Sequence, residues 1–408
     1  MKFLFSLIIF IFFLFGFIKA GESPNLNYSI NYLVSPDTIA VDTIKSQKSD
    51  TTSFKGKLDN FNGKMETIVK YSPLPIITYS SLTDWLFGVT KINSFRIGDK
   101  DNSDTTIQPS TITGLAYFTL NQQFKFVVTS KLMFGHNKYQ SQTEVMYINF
   151  PEYYFGVGND TKSSDSCLVS TQNFAIIQGF SMKFSENWYV GIKYEFNNYI
   201  EVDTMSYDNS VEGSCNIDVS NLPDNEGIQS GFGIMIARET RDNRFNARKG
   251  SHFSFEYLNF SKSLGSKFSY NSFIIEYSKY VTPIKWLTIA GQVYTEAKFG
   301  DVPIQSLARM GGSDQMRGLY DGRFRDHTMI TTQVELRFPL YWIFGGTLFT
   351  GLGEVAPTYG DYTWDGIKLT YGLGLRLMVY EPTRTNLRFD VGFFENKPLF
   401  FFTFSEAF

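Results

Sequence analysis

The sequence predicts an all-β fold, a transmembrane antiparallel β-barrel of about 16 strands, and three observations point to it. An uncharged apolar run from Phe3 to Ile18 follows Lys2 and precedes Lys19 and Ala20, the pattern of a secretory signal peptide over residues 1–20. Beyond it the chain is cut into short runs in which apolar and polar residues alternate with period two, as strands do. Aromatic residues make up 17% of the chain, with 41 Phe and 24 Tyr, whereas only 19% of residues are charged. Such a composition offers much apolar surface and few charges to solvate it, and a barrel in lipid uses the aromatics as interfacial girdles.

Residues 21–72 follow the signal peptide as a polar segment rich in Ser, Thr, Asn, Asp and Lys, expected to lie in the periplasm. From Pro73 to Phe408 the texture is alternating throughout, which marks one domain, the barrel. No stretch after the signal peptide reaches the roughly 18 to 20 apolar residues of a spanning helix. Strands are predicted to begin near Pro75, Trp85, Ser110, Gln123, Ser141, Val169, Trp188, Gly227, Gly250, Gly265, Trp286, His327, Tyr341, Gly366, Thr385 and Pro398.

The pattern is clearest late in the chain. Ile330, Thr332, Val334, Leu336 and Phe338 alternate with Thr331, Gln333, Glu335 and Arg337, and Leu387, Phe389, Val391 and Phe393 alternate with Asn386, Arg388, Asp390 and Gly392. A soluble sandwich would bury the oily face, and a membrane barrel turns it to lipid. The signal peptide, the aromatic excess and runs of about 9 to 14 residues favour the barrel.

An even strand number keeps both ends of the barrel on one side. Ser185–Asn187 and Pro283–Lys285 are then tight periplasmic connections, and Pro151–Ser166, Asp203–Glu226 and Asp301–Asp326 are long and face outward. Cys167 and Cys215 fall at neighbouring outer loops, where they either form one disulfide or stay buried as small apolar groups. The run from Leu399 to Phe408 sets Phe400, Phe402 and Phe404 on one face and closes on Phe408. An amphipathic last strand with such a Phe is what outer-membrane barrels present to the barrel-insertion machinery, so Phe404 and Phe408 are the candidate assembly signal.

Several function classes are disfavoured. With 37 basic and 40 acidic residues the net charge is −3, too weak a field to recruit nucleic acid. His136, His252 and His327 are scattered, no nucleophile or metal-ligand motif accompanies them, and no phosphate loop follows Gly311 and Gly312. No catalysis, cofactor or metal is expected, and the expected surroundings are outer-membrane lipid.

Two segments carry more than barrel texture. Gly311-Gly-Ser-Asp-Gln-Met-Arg-Gly-Leu-Tyr320, followed by Gln333-Val-Glu-Leu-Arg-Phe-Pro339, resembles the sixth-loop signature of the BamA/TamA outer-membrane superfamily, also called the bacterial surface antigen family. That signature is a Gly pair, a few residues, then Arg-Gly-aromatic; here Leu319 intervenes and the aromatic, Tyr320, comes one place late. Glu239-Thr-Arg-Asp-Asn243, with Gly250 after it, is similar to the same family's Asp-Thr-Arg-Asp-Asn stretch, with Glu239 at its head.

The resemblance implies that the long loop folds back into the lumen and that its motif, Gly311, Gly312, Arg317, Gly318 and Tyr320, is fixed by pairing of Arg317 with Glu335. The alternation independently puts Glu335 on the polar face. A carboxylate partner offsets the hydration that a buried guanidinium loses. The family's second acid, in a Phe-x-Asp-x-Gly pattern, falls at Gly351 within Phe349–Gly353, so Arg317 is expected to have fewer partners and a less firmly held loop. Residues 21–72 are too few for even one periplasmic polypeptide-transport-associated (POTRA) domain, so the resemblance is to a short branch without them. It implies insertion or translocation of polypeptides, in assembly or secretion, with unfolded outer-membrane or secreted proteins as clients. A passive channel or a lipid- or solute-handling barrel is the alternative, and a surface interaction protein a third.

Overall fold

The computed structural model describes residues 73–80, 84–98, 110–120, 123–204, 225–243, 245–380 and 384–408. The signal peptide, the 21–72 segment and Cys215 lie outside the described residues. Among the described residues sixteen strands form one antiparallel sheet, each paired with the sheet strands next to it along the chain. They are β1 (Leu74–Ser80), β2 (Asp84–Phe95), β3 (Ser110–Thr119), β4 (Phe124–Phe134), β5 (Tyr139–Tyr154), β6 (Cys167–Ser185), β7 (Trp188–Thr204), β8 (Gly227–Glu239), β9 (Gly250–Phe260), β10 (Tyr270–Ile284) and β11 (Leu287–Gly300). The sheet continues with β14 (Thr328–Tyr341), β15 (Phe344–Ala356), β16 (Lys368–Tyr380), β17 (Thr385–Phe394) and β18 (Lys397–Phe404). Between β11 and β14 the long loop contributes its own hairpin, β12 (Ala308–Met310) with β13 (Phe324–Asp326).

The fold is thus the expected membrane barrel, with strands starting at or near the predicted positions. Tyr341 and Gly265 are the exceptions: Tyr341 closes β14, and β15 begins at Phe344. Lys262–Leu264 form a 3-10 turn that Gly265 caps at φ 85°, and β10 begins only at Tyr270. Among the described residues no ladder joins β1 to β18.

Alternation decides what faces where. Leu348, Leu369 and Leu373 are 50%, 52% and 54% exposed on the outside, among a belt of Val, Ile, Leu and Phe, while the intervening polar side chains are buried inside. Lys125, Gln140, Lys193, Glu256, Gln292, Gln333 and Glu335 are all buried there, so side chains and the long loop fill the lumen. Polar groups inside and apolar groups outside is the inversion that lipid demands. The sheet curls round the loop: Arg309 in β12 meets Glu152 of β5, and Arg317 meets Glu335 of β14 and Asp390 of β17.

The wall is uneven. β6 and β7 run 19 and 17 residues, β1 and β18 only 7 and 8. At about 3.3 Å per residue the β5–β7 side stands well above the others, and it carries Glu152 and Tyr153 to the height of the loop hairpin. The outer connection after β5 turns inward across the mouth, where Gly158 bridges Arg325 of β13 and the Asn159 side-chain amide donates to the Gly366 carbonyl at 2.7 Å.

Cys167 is buried at the head of β6 and is disulfide-bonded. Non-reducing electrophoresis with alkylation in denaturant is expected to show one Cys167–Cys215 bridge and no alkylated thiol; two alkylated thiols would exclude it.

Candidate functional site: a charged loop locked inside the barrel

Glycine geometry explains how the loop fits. Gly311 and Gly312 take φ of 128° and 99°, where side chains are strained, and the Gly312 N–H donates to the Leu319 carbonyl at 3.0 Å, closing the loop on itself. Gly318 is needed for a different reason. A Cβ there would lie 2.8 Å from the Phe393 nitrogen, and a Cβ on Gly392 would lie 2.5 Å from the Arg317 carbonyl carbon. Loop backbone and wall backbone therefore touch directly, Gly318 against β17 and Gly392 against the loop, which delivers the neighbouring Arg317 to the wall.

Arg317 is fully buried. Its Nη2 donates to Glu335 Oε2 at 2.5 Å, its Nη1 to Asp390 Oδ2 at 2.6 Å, and its Cζ sits 3.7 Å from the centroid of the Phe349 ring. Burial opposes its charge, and the carboxylates of Glu335 and Asp390 outweigh that effect, so its pKa lies above the ordinary arginine value. The expected pairing of Arg317 with Glu335 is present. The expectation that Arg317 lacks a second acid is corrected: Asp390, two strands beyond Gly351, supplies it. A Cβ at Gly351 would lie 3.0 Å from Met316 Sδ, so the loop's own methionine fills the space beside that glycine. Asp390 was visible on the polar face of its run, but nothing in the spacing linked it to the loop.

The same acids serve other arginines. Arg337 Nε donates to Glu335 Oε1 at 2.7 Å, Arg376 Nη1 to Asp390 Oδ1 at 2.5 Å, and Arg388 Nη2 to Asp314 Oδ1 at 2.9 Å and the Ser313 carbonyl at 3.0 Å. Gln333 donates to the Asp314 carbonyl at 2.6 Å. The loop tip from Ser313 to Arg317 is thereby tied to β14 and β17 together.

The one-residue delay of the aromatic also has a structural meaning. Leu319 is buried in the loop's own apolar cluster with Met310, Met316, Phe324, Met329 and Val355. Tyr320 points the other way, edge-on to Tyr153 at 5.7 Å and Phe155 at 5.8 Å, and its hydroxyl accepts from the Tyr153 N–H at 3.3 Å. Arg323 adds bonds to the Thr161 hydroxyl at 2.9 Å and carbonyl at 2.7 Å. The base of the loop is thus held to the tall β5 side and its tip to the opposite wall. Near the outer end burial pushes the Asp321 carboxyl above the usual carboxylate range, while Arg309 pulls it back.

The second resembling segment forms the β8–β9 turn. Glu239 accepts from Arg241 Nε at 2.9 Å and Nη2 at 2.7 Å, Asp242 Oδ1 from the Arg248 and Lys249 N–H groups at 2.8 and 3.0 Å, and Asn243 Oδ1 from the Phe245 and Asn246 N–H groups, both at 2.9 Å. Each acceptor ties down part of one compact turn. Phe408 departs from expectation. The strand ends at Phe404, Ser405 turns at φ 67°, and Phe408 is buried inside the barrel instead of lying on the strand's outer face.

An antiparallel outer-membrane-type barrel with an ion-locked lumen loop defines the class, and family comparison agrees. The Omp85 superfamily domain matches residues 103–403, and the chain belongs to that superfamily. No curated protein matches it. Its fold is similar to that of BamA from Haemophilus ducreyi lacking POTRA domains 1–3, at TM-score 0.50 and 11% identity, covering 86% of this chain and 77% of that one. It is likewise similar to CdiB from Escherichia coli, at TM-score 0.51 and 10% identity, covering 81% of this chain and 59% of that one. The chain therefore spans less than two thirds of the CdiB structure.

Arg317→Ala leaves two buried carboxylates short of a partner and is expected to lower the stability of the heat-resistant folded form by about 3–5 kcal/mol in urea. The loss should be smaller in an Asp390→Asn background; equal losses in both backgrounds would contradict the pairing. Gly392→Val should free the loop by displacing Arg317 and Gly318, read as faster proteolysis within 311–320.

Proposed function

We propose that this protein is an outer-membrane polypeptide insertion or translocation factor, acting in outer-membrane protein assembly or secretion. The observation that carries the reading is the filled lumen. Arg317, Glu335 and Asp390 are buried at its centre, and the connection after β5 lies across its outer mouth. A passive pore needs a continuous wet path, and among the described residues a paired, buried arginine stands in the lumen instead. Superfamily membership supports the same reading, because BamA and CdiB, the similar structures, belong to families that handle protein substrates. Unfolded outer-membrane or secreted proteins are the proposed clients. Outer-membrane lipid is the proposed setting, and the barrel-insertion machinery the proposed partner in biogenesis.

Depletion of the protein followed by quantitative proteomics of the outer-membrane fraction tests this. Selective loss of other barrels or surface proteins before growth slows is expected, with small-solute uptake unchanged. An intact protein inventory with altered permeability or lipid distribution would overturn it in favour of a solute- or lipid-handling barrel.

A further inference from the structure

The segment after β18 folds back against side chains of β10, β11, β14 and β16 and of the β8–β9 turn. Phe408 packs on Tyr280 of β10 at 6.1 Å between ring centroids and shares a buried cluster with Ala290 of β11 and Ala247 of the β8–β9 turn. Arg337 of β14 lies over both rings, 5.7 Å from that of Tyr280 and 5.5 Å from that of Phe408, and its Nη2 donates to the Phe408 main-chain oxygen at 3.1 Å. Two residues earlier, Glu406 accepts from Arg376 Nε and from Asn386 Nδ2, both at 2.7 Å. The backbone contributes little: Ser405 donates to the Asn386 carbonyl at 2.8 Å and Glu406 to the Phe245 carbonyl at 3.3 Å, with no ladder.

From this geometry we infer that the periplasmic mouth holds a peptide-binding pocket, filled in this state by residues 405–408, whose ligand class is an extended polypeptide bearing a carboxylate, one small spacer and an aromatic. The acid is required by charge balance. Arg317, Arg337, Arg376 and Arg388 are matched by Glu335, Asp390, Asp314 and Glu406, so withdrawal of Glu406 leaves one guanidinium in excess beside the lumen loop. The aromatic is required by the slot between Tyr280, Arg337 and the two alanines, which an aliphatic side chain would fill without the ring contacts. The chain's own segment is an intramolecular competitor at high effective concentration, so a client must displace it. This site deepens the polypeptide-handling reading and rests on it for the identity of the ligand.

The probe is a fluorescein-labelled peptide Thr-Phe-Ser-Glu-Ala-Phe, matching residues 403–408, and a control with Gln and Ala in place of its Glu and last Phe. Both are titrated by anisotropy into the full-length barrel in detergent micelles, unaltered or carrying Glu406→Gln and Phe408→Gly. The vacated variant should bind the probe at least about tenfold tighter than the unaltered barrel, because self-occupancy no longer reduces the competent fraction, and should ignore the control peptide. Equal binding of probe and control, or equal binding to both proteins, overturns the proposal. Should the double variant not fold, a benzophenone in place of the last Phe of the probe is photo-crosslinked to the unaltered barrel. Adducts at Tyr280 or residues 245–249, suppressed by unlabelled probe but not by the control, support the site; their absence overturns it. A pocket that binds while depletion leaves the outer-membrane inventory intact would sink the assembly reading and keep the site.

Discussion

The structure depends on a fully buried arginine carried on the irregular stretch between the two short strands of the lumen loop. A guanidinium inside a barrel is tolerable only with carboxylates at hydrogen-bond distance, and Arg317 has two, from strands on either side of β15 and β16. Because Glu335 is shared with Arg337, and Asp390 with Arg376, the loop tip belongs to one charge lattice reaching from the lumen to the barrel end where Glu406 packs. Removing any member leaves an unbalanced charge where water cannot easily reach.

The glycines make that lattice possible. Gly318 and Gly392 bring two backbones into contact, which sets how far Arg317 reaches into the wall, and Gly351 leaves room for Met316 where a larger residue would push the loop away. The apolar side of the loop, from Met310 to Leu319 and Phe324, then packs against Met329 and Val355 of the wall. Charge fixes the loop tip against β14 and β17, this apolar cluster adds a hold on β14 and β15, and Tyr320 and Arg323 hold the base to the β5 side.

Much of this was legible in the sequence, and the reasons differ by residue. Strand positions were readable because lipid outside and polar groups inside impose strict alternation, as in the run from Ile330 to Phe338. Arg317 and Glu335 were readable because the motif and the alternation agreed. Asp390 was on the right face, but its partnership with Arg317 depends on how the sheet curls across β15–β17, which no local spacing encodes. Tyr320 could not be placed from its motif, because the intervening Leu319 took the loop-core position. Phe408 looked like the end of a strand; the inward turn puts Ser405, a non-glycine residue, at positive φ, which composition does not announce, and Glu406 becomes meaningful only when Arg376 and Asn386 are seen beside it.

The most direct test of the central claim, that the buried Arg317 pairing keeps the lumen filled, is single-channel conductance of the purified protein in planar bilayers, unaltered and as Arg317→Ala. The unaltered protein should stay largely non-conducting, and the variant should show long, large openings as the loop leaves the wall. Steady conductance of the unaltered protein, or indistinguishable traces from the two, would contradict it.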